Sequence, residues 1–477
     1  MASRRLPLSP SLIPLALLAL TGCSGSGNMN MTTPPANTSV TLLATSTAND
    51  KLSALTLSME SLMLTSQSGT TVTLFSAEQG EEFLHVNGPM EPILTGNIPP
   101  GTYTSATLTL NSGLAYCAGV AGAPANLTID GFAAYQTIDP VDVSLPQPIT
   151  ISGSSTLLAL NLQLASTVKP FTFCTPGVTQ QVQSMTPDFT LTAVNSGSSA
   201  MPVFAGMKGV IQSTTASGFS VGGNLLFGVG EFSPSWQVTT NSATAFHGVS
   251  GLSALSTGMA VDFDASVQPN GTLLATRVSV YDTTTSNTTL TLGPVLNPIP
   301  AQSITPMLLS ETSPVVPYGA TYNYASPTTF AISTQLANLA QLPFQPRFDA
   351  AHIVGGQNTL AILHLASTPP SYVQPSTLVL IPQTVDGLVT ATATAGAFTT
   401  YTITLAPYDL FPNTATLGDS NPLTQPNTII VYADASASMQ TASPIATGNT
   451  YRFNGLVFDD NGTLRMDCDA IYDGPAL

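Results

Sequence analysis

Three features of the sequence predict an all-β fold. Only 34 of the 477 residues are charged, 9 basic and 25 acidic, and so few Glu, Lys and Arg residues could not cover the outer faces of long helices. The chain holds 67 threonines and 48 serines, a composition that favours strands because β-branched threonine packs well on a pleated sheet. Short runs of alternating apolar and polar residues recur between turn dipeptides such as Ser68-Gly69. We therefore predict an N-terminal β-sandwich followed by tandem small β-barrels or sandwiches.

The charge balance excludes one class of partner. A net charge of −16 would repel nucleic-acid phosphates, so we expect no nucleic-acid partner. Apolar residues make up 43% of the chain, which favours folded domains over a charge-rich disordered chain.

Residues 1–22 have the pattern of an export signal. Arg4 and Arg5 supply a positive start, and residues 12–20 form an apolar run of nine residues. Such a run is too short to cross a bilayer and has the length of a signal-peptide core. We found no stretch elsewhere that approaches 18 apolar residues, so the sequence predicts an exported chain without a membrane-spanning segment.

The signal ends in Leu-Thr-Gly-Cys at residues 20–23, which resembles the bacterial lipobox at all four positions. The resemblance implies that Cys23 becomes the acylated mature N-terminus, carrying fatty acyl chains such as palmitate; the alternative is an ordinary secretory signal with a chance cysteine. Ser24, rather than Asp, follows the cysteine, which by resemblance to Gram-negative lipoproteins favours the outer membrane. Residues 23–40 are small, polar and Pro-containing, and we predict a flexible tether.

The remaining cysteines are Cys117, Cys174 and Cys468. Export leads to an oxidising compartment, where thiols tend to pair. Cys117 and Cys174 lie in one segment, so we predict a disulfide between them. Cys468 is left over, either as a small buried hydrophobe or as a reactive thiol.

Residues 41–195 are predicted to form the N-terminal sandwich, of the transthyretin or immunoglobulin kind. A Pro-Pro-Gly turn at residues 99–101 feeds an alternating strand that begins with Tyr103, as is common in such sandwiches. Residues 147–165 read as a strand with one buried face. A linker is expected at residues 195–202.

The second half of the chain contains repeats. Residues 269–282 (PNGTLLATRVSVYD) and residues 460–473 (DNGTLRMDCDAIYD) share Asn-Gly-Thr-Leu and a closing Tyr-Asp. Asn-Gly is the strongest short signal for a type I′ hairpin. We predict β-repeats over residues 203–290 and 385–477, a connector over 283–317, and a degenerate third copy over 318–384.

Two resemblances follow from these motifs. The N-terminal pattern, LSALTLSMESLMLTSQSG with the later IPPGTYTSATLTL, resembles an uncharacterised domain-of-unknown-function family of bacterial lipoproteins. The repeats, with GFSV, GMAVDFDA and NGTLLATRVSVYD, resemble a second such family that occurs in tandem in exported proteins. The resemblances imply a β-fold and an envelope location, and no catalytic residue.

Few motifs indicate catalysis. Ser220 lies in the single Gly-x-Ser-x-Gly motif, at residues 218–222, but strand-like residues flank it where a hydrolase nucleophile needs a strand-turn-helix setting. We expect a turn or strand residue, with a nucleophile as the alternative. No pair of histidines has metal-binding spacing, and each is expected to be incidental: His85, His247, His352 and His364.

Acidic residues form two groups. Asp262 and Asp264 alternate, so both point to one sheet face; paired carboxylates could also serve a glycosidase. The second group is a candidate calcium site because Ca²⁺ prefers oxygen ligands, although its spacing is not that of an EF-hand: Asp459, Asp460, Asp467 and Asp469. The alternative is an Asp-capped Asn-Gly hairpin with a solvated face.

Aromatic residues could stack on sugars if they are exposed. The candidates are Trp236, the only tryptophan, with Tyr318, Tyr322 and Tyr324, of which the last two share one strand face. We expect these rings to pack inside or along a sheet, with the sugar platform as the alternative.

The function that these observations favour is non-enzymatic binding or structural work by a lipid-anchored protein of the cell envelope. The expected contacts are the membrane, through the N-terminal lipid, and an envelope protein or a glycan; we expect no cofactor. The alternatives are a carbohydrate-binding or adhesive surface protein, and a hydrolase that uses Ser220 or an Asp pair.

Overall fold

The computed structural model describes most of the chain beyond residue 36. The described residues are 37–47, 52, 54–76, 79–84, 90–116, 125–129, 139–167, 183–194, 203–222, 235–268, 272–296, 298–299, 302–306, 310–311, 316, 320–324, 327–336, 339–365, 372–405, 409–414 and 423–474. The predicted lipidation site and disulfide lie outside them, as do two further residues named above: Cys23, Cys117, Cys174, Tyr318 and His85.

The all-β prediction is confirmed. The helices of the described residues are one-turn segments: α1 (Leu164–Thr167), α2 (Leu410–Thr414) and two 3-10 turns at Leu252–Ala254 and Leu339–Gln341. None of them has the length and apolar character needed to cross a bilayer. Every layer of the core is therefore built from strands.

The N-terminal part is a single sheet of twelve strands. Its strands are β1 (Thr38–Ser46), β2 (Ala54–Ser66), β3 (Thr71–Phe75), β4 (Gln79–Glu82), β5 (Glu91–Ile98), β6 (Gly101–Tyr116), β7 (Ala125–Ile129), β8 (Asp139–Ser144), β9 (Ile149–Ile151), β10 (Ser155–Leu162), β11 (Gln183–Met185) and β12 (Phe189–Val194). Strand β6 is long enough to pair with β2, β7, β8 and β9. Leucines of β1, β2, β6 and β10 belong to one apolar core. Strands from the two ends of the sheet therefore pack against each other over this core.

Strand β1 is buried on both faces. Its Leu42 belongs to the N-terminal core, whereas its neighbour Leu43 belongs to the core of the next domain, together with Leu157 of β10. Successive side chains of a strand point to opposite faces. The strand therefore joins the two cores.

The second sheet closes into a five-stranded barrel, barrel 1. Its strands are β13 (Val203–Thr215), β14 (Gly218–Gly222), β15 (Ser235–Thr239), β16 (Ala245–His247), β17 (Ala260–Val267) and β18 (Leu273–Ser279). The ring runs β13-β14-β15-β18-β17 and returns to β13, with β15 parallel to β18 and the other pairs antiparallel. Strand β16 adds to the outside of β18.

A middle part follows, with two smaller sheets. Its strands are β19 (Thr288–Pro294), β20 (Ser303–Ile304), β21 (Ser310–Glu311), β22 (Thr321–Asn323), β23 (Thr329–Ile332), β24 (Asn358–His364), β25 (Tyr372–Val373) and β26 (Thr377–Leu380). The sheet orders are β21-β19-β24-β26-β23 and β20-β22-β25. The segment 318–384, predicted as a degenerate repeat, thus pairs with strands of the predicted connector, because β24 hydrogen-bonds β19 and β22 hydrogen-bonds β20.

The C-terminal part is a closed barrel, barrel 2, formed by β27 (Gln383–Ala395), β28 (Phe398–Leu405), β29 (Thr428–Gln440), β30 (Thr450–Asp460) and β31 (Thr463–Asp473). Its ring β27-β28-β29-β31-β30 has the order and strand directions of barrel 1, including one parallel pair, β29 with β31. Closure of five strands in this Greek-key order is the arrangement of the OB-fold. The predicted hairpin at Asn461-Gly462 is confirmed, since both residues have positive φ angles of 54° and 84°.

Candidate functional site

Among the described residues, a buried cluster of charged side chains lies on barrel 1, between β17 and β18. Asp264 and Arg277 are directly opposite each other across the two strands. The Arg277 guanidinium donates to Asp264 at 2.7 and 2.8 Å, and to Asp262 at 3.0 and 3.3 Å. Asp262 is fully buried and Arg277 is 7% exposed. The two carboxylates that the sequence places on one face therefore share a single buried arginine.

The middle part completes this cluster. Ser333 and Thr334, just beyond β23, reach across to barrel 1, where Ser333 donates to Asp262 at 3.3 Å and Thr334 Oγ1 accepts from Arg277 at 3.0 Å. Tyr281 donates to Asp262 at 3.2 Å and accepts from the Thr334 backbone N–H at 3.1 Å. Residues more than 50 positions apart in sequence thus satisfy one buried network.

The electrostatics hold this cluster in its ionised state. Burial alone would raise the pKa of Asp262, but the charges of Lys208 and Arg277 outweigh it, and the pKa lies below its ordinary value. Burial alone would lower the pKa of Arg277, but hydrogen bonds and charge from Asp264 and Asp262 raise it. Asp262 and Arg277 therefore remain charged near neutral pH.

Ser220 stands in a different setting. Its hydroxyl lies 2.6 Å from that of Ser213 on the adjacent strand, and Ser220 is 4% exposed in the middle of β14. His247 is exposed on β16, and Asp262 is held by Arg277. The Ser220 hydroxyl thus pairs with Ser213, and His247 and Asp262 lie on the other strands β16 and β17. The strand setting is the one that the sequence favoured over a nucleophile.

Two other histidines pair with carboxylates. His364 Nε2 lies 2.9 Å from Asp282, and its Nδ1 lies 3.2 Å from the Ser286 carbonyl. Burial works against the charge of Asp282, but hydrogen bonds from Ser376 and His364 lower its pKa to about 2. His352 lies 2.8 Å from Asp349, three residues earlier. The first pair joins the segment after barrel 1 to β24 of the middle part.

Two of the four calcium candidates have separate hydrogen-bond partners near the hairpin turn. Asp459 accepts from the Gly462 N–H at 2.6 Å, which caps the hairpin turn, and Asp460 binds Arg465 at 2.6 Å. Asp467 and Asp469 lie further along β31. In the part of the chain that the structure describes, no three Asp, Glu, His or Cys side chains converge closely enough to hold a metal ion. The hypothesis of a calcium site at these carboxylates is therefore not supported by their geometry.

Three of the four aromatic candidates lie in the interior of the part of the chain that the structure describes. Trp236 is 8% exposed inside barrel 1, and Tyr322 and Tyr324 are 1% and 2% exposed in the core of the middle part. The tyrosine hydroxyls donate to Thr291 Oγ1 and the Ile299 carbonyl at 2.8 and 2.7 Å. These rings are packed as core residues, which leaves no face for stacking on a sugar.

The outer face of barrel 1 offers a different kind of surface. Phe219 and Val221 point into the barrel core, so Ser220 points outward, paired with Ser213 on β13 and with Gln237 on β15. Beside this row, the Ser235 hydroxyl donates to the Gln212 side chain at 3.0 Å. The Gln212 side chain lies close to Gly222, which has no side chain of its own. Ser213, Gln212, Ser235 and Gln237 are exposed. This three-strand face, the hydroxyl–amide face, presents uncharged donors and acceptors.

One concave surface elsewhere is apolar. It is lined by Ile332 and by residues of the turn 339–346, among which Phe344 lies 5.2 Å from the Tyr432 ring and beneath the Arg465 guanidinium. Its lining holds no titratable side chain. Such a groove can bury apolar surface but supplies no acid, base or nucleophile.

Sequence reasoning missed Arg277. A partial signal was present, because Asp264 and Arg277 lie six residues on either side of Asn270-Gly271, although a register shift next to Asp264 also sets their pairing. The contribution of Ser333 and Thr334 had no local signal, since nothing in the sequence marks a contact over that separation.

Comparison with known proteins adds one finding. Residues 208–279, from β13 to the end of β18, match a family model described as a domain of unknown function (DUF5666). No curated protein matches the chain. The match confirms the predicted likeness of barrel 1 to a family of unknown function; because it spans less than half of the chain, it describes this barrel alone.

Proposed function

We propose that this is a lipid-anchored protein of the bacterial cell envelope with a non-enzymatic binding or structural role. Leu-Thr-Gly-Cys at residues 20–23 supports an acyl anchor on Cys23, in the outer membrane. The proposed contacts are the membrane, through this lipid, and an envelope protein or glycan. We further propose that residues 41–195 belong to the first of the two uncharacterised families named above. Residues 385–477 are proposed to belong to the second, the family of the repeats.

One observation carries the non-enzymatic part of the proposal. The Asp262 carboxylate accepts hydrogen bonds from Arg277, Tyr281 and Ser333, so the Asp262–Asp264 pair that could have served a glycosidase is engaged in an ion pair. A general base near neutral pH needs a free lone pair and a pKa near the working pH. The network instead joins two parts of one chain.

The anchor can be tested by fractionation. Wild-type protein and Cys23→Ala would be expressed in the same Gram-negative host, and the membranes separated by density. The wild type should follow the outer membrane, and Cys23→Ala should accumulate as the unprocessed precursor. Equal distribution of the two proteins would contradict the anchor.

Protease treatment of intact and permeabilised cells then separates two kinds of partner. Release of peptides from residues 203–474 on intact cells would favour adhesion or a surface glycan. Release only after permeabilisation would favour a periplasmic envelope partner. A chain that stays soluble and unattached in both preparations would argue against an envelope role.

A second candidate function is glycan binding by barrel 1. The hydroxyl–amide face favours it, because its exposed Gln212 and Gln237 could exchange hydrogen bonds with sugar hydroxyls, and barrels of this arrangement can bind oligosaccharides on such a face. The test is binding of a neutral glucan by wild type, by Gln237→Ala and by the exposed barrel 2 control Gln440→Ala. Loss in Gln237→Ala alone would support this candidate, and no binding by wild type would remove it for this ligand.

A further inference from the structure

Three carboxylates gather on the outside of barrel 2. Strands β29 and β31 run parallel, with Tyr432 opposite Asp467 and Ala433 opposite Cys468. Ala433 and Cys468 belong to the barrel core. Since side chains alternate along a strand, Asp467 and Asp469 point outward on β31 and Asp434 points outward on its neighbour.

Asp467 is the buried member of this group. It is 4% exposed, and its Oδ2 atom has no hydrogen-bond partner among the described residues. Leu456, directly opposite on β30, is fully buried in the apolar cluster of the middle part. An ionised carboxylate in such a place costs several kcal/mol, whereas the protonated acid does not.

The charges that face Asp467 are of the same sign. Burial, and then the charges of Asp434 and Asp469, raise the pKa of Asp467 to about 7. Asp469, by contrast, is exposed on the same outer face. Arg465, two residues earlier on β31, already binds Asp460.

The strand neighbours of Asp467 face the middle part, since Leu456 lies in its apolar cluster and the Tyr432 ring lies 5.2 Å from Phe344. We propose that Asp467 is a proton-operated switch at the junction of barrel 2 and the middle part. A proton on its carboxyl group lets the facing carboxylates stay together, and loss of that proton loosens β31 from its neighbours. This device is independent of the anchor and of any ligand.

The direction of the pH effect follows from the protonation of Asp467. Because the pKa of Asp467 is higher in the closed junction than in the open one, its proton stabilises the closed junction. This stabilisation is complete at a pH below the ordinary carboxyl pKa and is lost as pH rises through about 7. Opening of the junction should therefore increase about thirtyfold between pH 5.5 and 8.5, given pKa values of about 7 when closed and about 4 when open.

Amide hydrogen exchange of the full chain, corrected for the intrinsic pH dependence, measures this opening in peptides that cover β29 and β31. Wild type should show the increase. Asp467→Asn, which cannot ionise, should show opening that is the same at both pH values. The exposed control Asp142→Asn should behave as wild type.

A second variant keeps the proposal testable if Asp467→Asn fails to fold. Asp434→Asn removes one facing charge and should move the midpoint of the transition to lower pH. The proposal is overturned if wild-type opening is equal at pH 5.5 and 8.5, or if Asp434→Asn leaves the midpoint unchanged. It is also overturned if calcium at pH 8.5 restores protection that EDTA removes, since a cation would then hold the carboxylates together.

Discussion

Asp264 of β17 lies directly opposite Arg277 of β18, and its carboxylate accepts two hydrogen bonds from the guanidinium at 2.7 and 2.8 Å. The same arginine neutralises Asp262, whose other partners come from the end of barrel 1 and from the middle part. This shared arginine ties the matched domain to the rest of the chain. The corresponding positions of the second repeat are Gly455 and Cys468, so barrel 2 is built without such a pair.

Replacing Arg277 should be severely destabilising. Arg277→Gln leaves Asp262 buried beside an uncharged amide, and breaking a buried ion pair in this way costs about 3–5 kcal/mol. The measurement is the denaturant midpoint of barrel 1, followed by the fluorescence of Trp236, the only tryptophan. The exposed control Arg347→Gln should leave the midpoint unchanged. Equal midpoints for Arg277→Gln and the control would show that the network does not stabilise the barrel.

Asp282 should contribute to stability at neutral pH and lose that contribution in acid. Its pKa is lowered to about 2, so the stabilisation is complete above the ordinary carboxyl pKa of about 4 and disappears as pH falls towards 2. Asp282→Asn should lower stability at pH 7 by about 2 kcal/mol or less, because the side chain is partly exposed. Thermal unfolding at pH 7 and pH 2.5 measures the effect, with the exposed Asp142→Asn as control. A loss for Asp282→Asn that is as large at pH 2.5 as at pH 7 contradicts the mechanism.

Gly455 should tolerate no side chain. A Cβ atom there would lie 2.0 Å from the Asp467 carbonyl oxygen, which belongs to the backbone of β31 and cannot move aside cheaply. Gly455→Ala should therefore destabilise barrel 2 by about 1–3 kcal/mol or more. At Gly101 the nearest atom would be 3.8 Å away, so Gly101→Ala is the matched control. Hydrogen exchange of residues 450–473 reports the difference, and unchanged protection in Gly455→Ala would refute the close approach.

Leu43 should couple the N-terminal sheet to barrel 1. Leu43→Ala leaves a cavity in the core that both parts share, at a cost of about 2–5 kcal/mol. Because Leu43 faces barrel 1, hydrogen exchange in β13 and β17 should rise as well as exchange in β1. Met439→Ala, at a side chain 51% exposed, is the control. An increase restricted to β1 would show that the two cores are not coupled.

Features that depend on neighbouring residues were predictable from the sequence, and features that depend on residues far apart in the chain were not. The hairpin at Asn461-Gly462 was predictable, because the turn residues themselves require positive φ angles. The shared face of Asp262 and Asp264 was predictable from strand alternation. Packing was the expected role of Tyr322 and Tyr324, but the residues that cover their rings were not predictable, because alternation gives a face and not what covers it.

Longer-range pairing was beyond local patterns. Residues 318–384 hold strands, as predicted, but β24 pairs with β19 across a separation that no turn signal marks. The raised pKa of Asp467 likewise arises from burial and from charges on two strands. The sequence predicted Asp467 as a solvated or metal-binding carboxylate, and only the packing of β29 against β31 reveals its unpaired oxygen.

The most direct test of the central claim is the mass of the mature N-terminal peptide, purified from membranes and measured by mass spectrometry. A lipid-anchored envelope protein predicts a peptide that begins at Cys23 and carries a thioether-linked diacylglycerol. A peptide that begins elsewhere, or an unmodified Cys23 in a processed chain, would contradict the anchor and with it the proposed function.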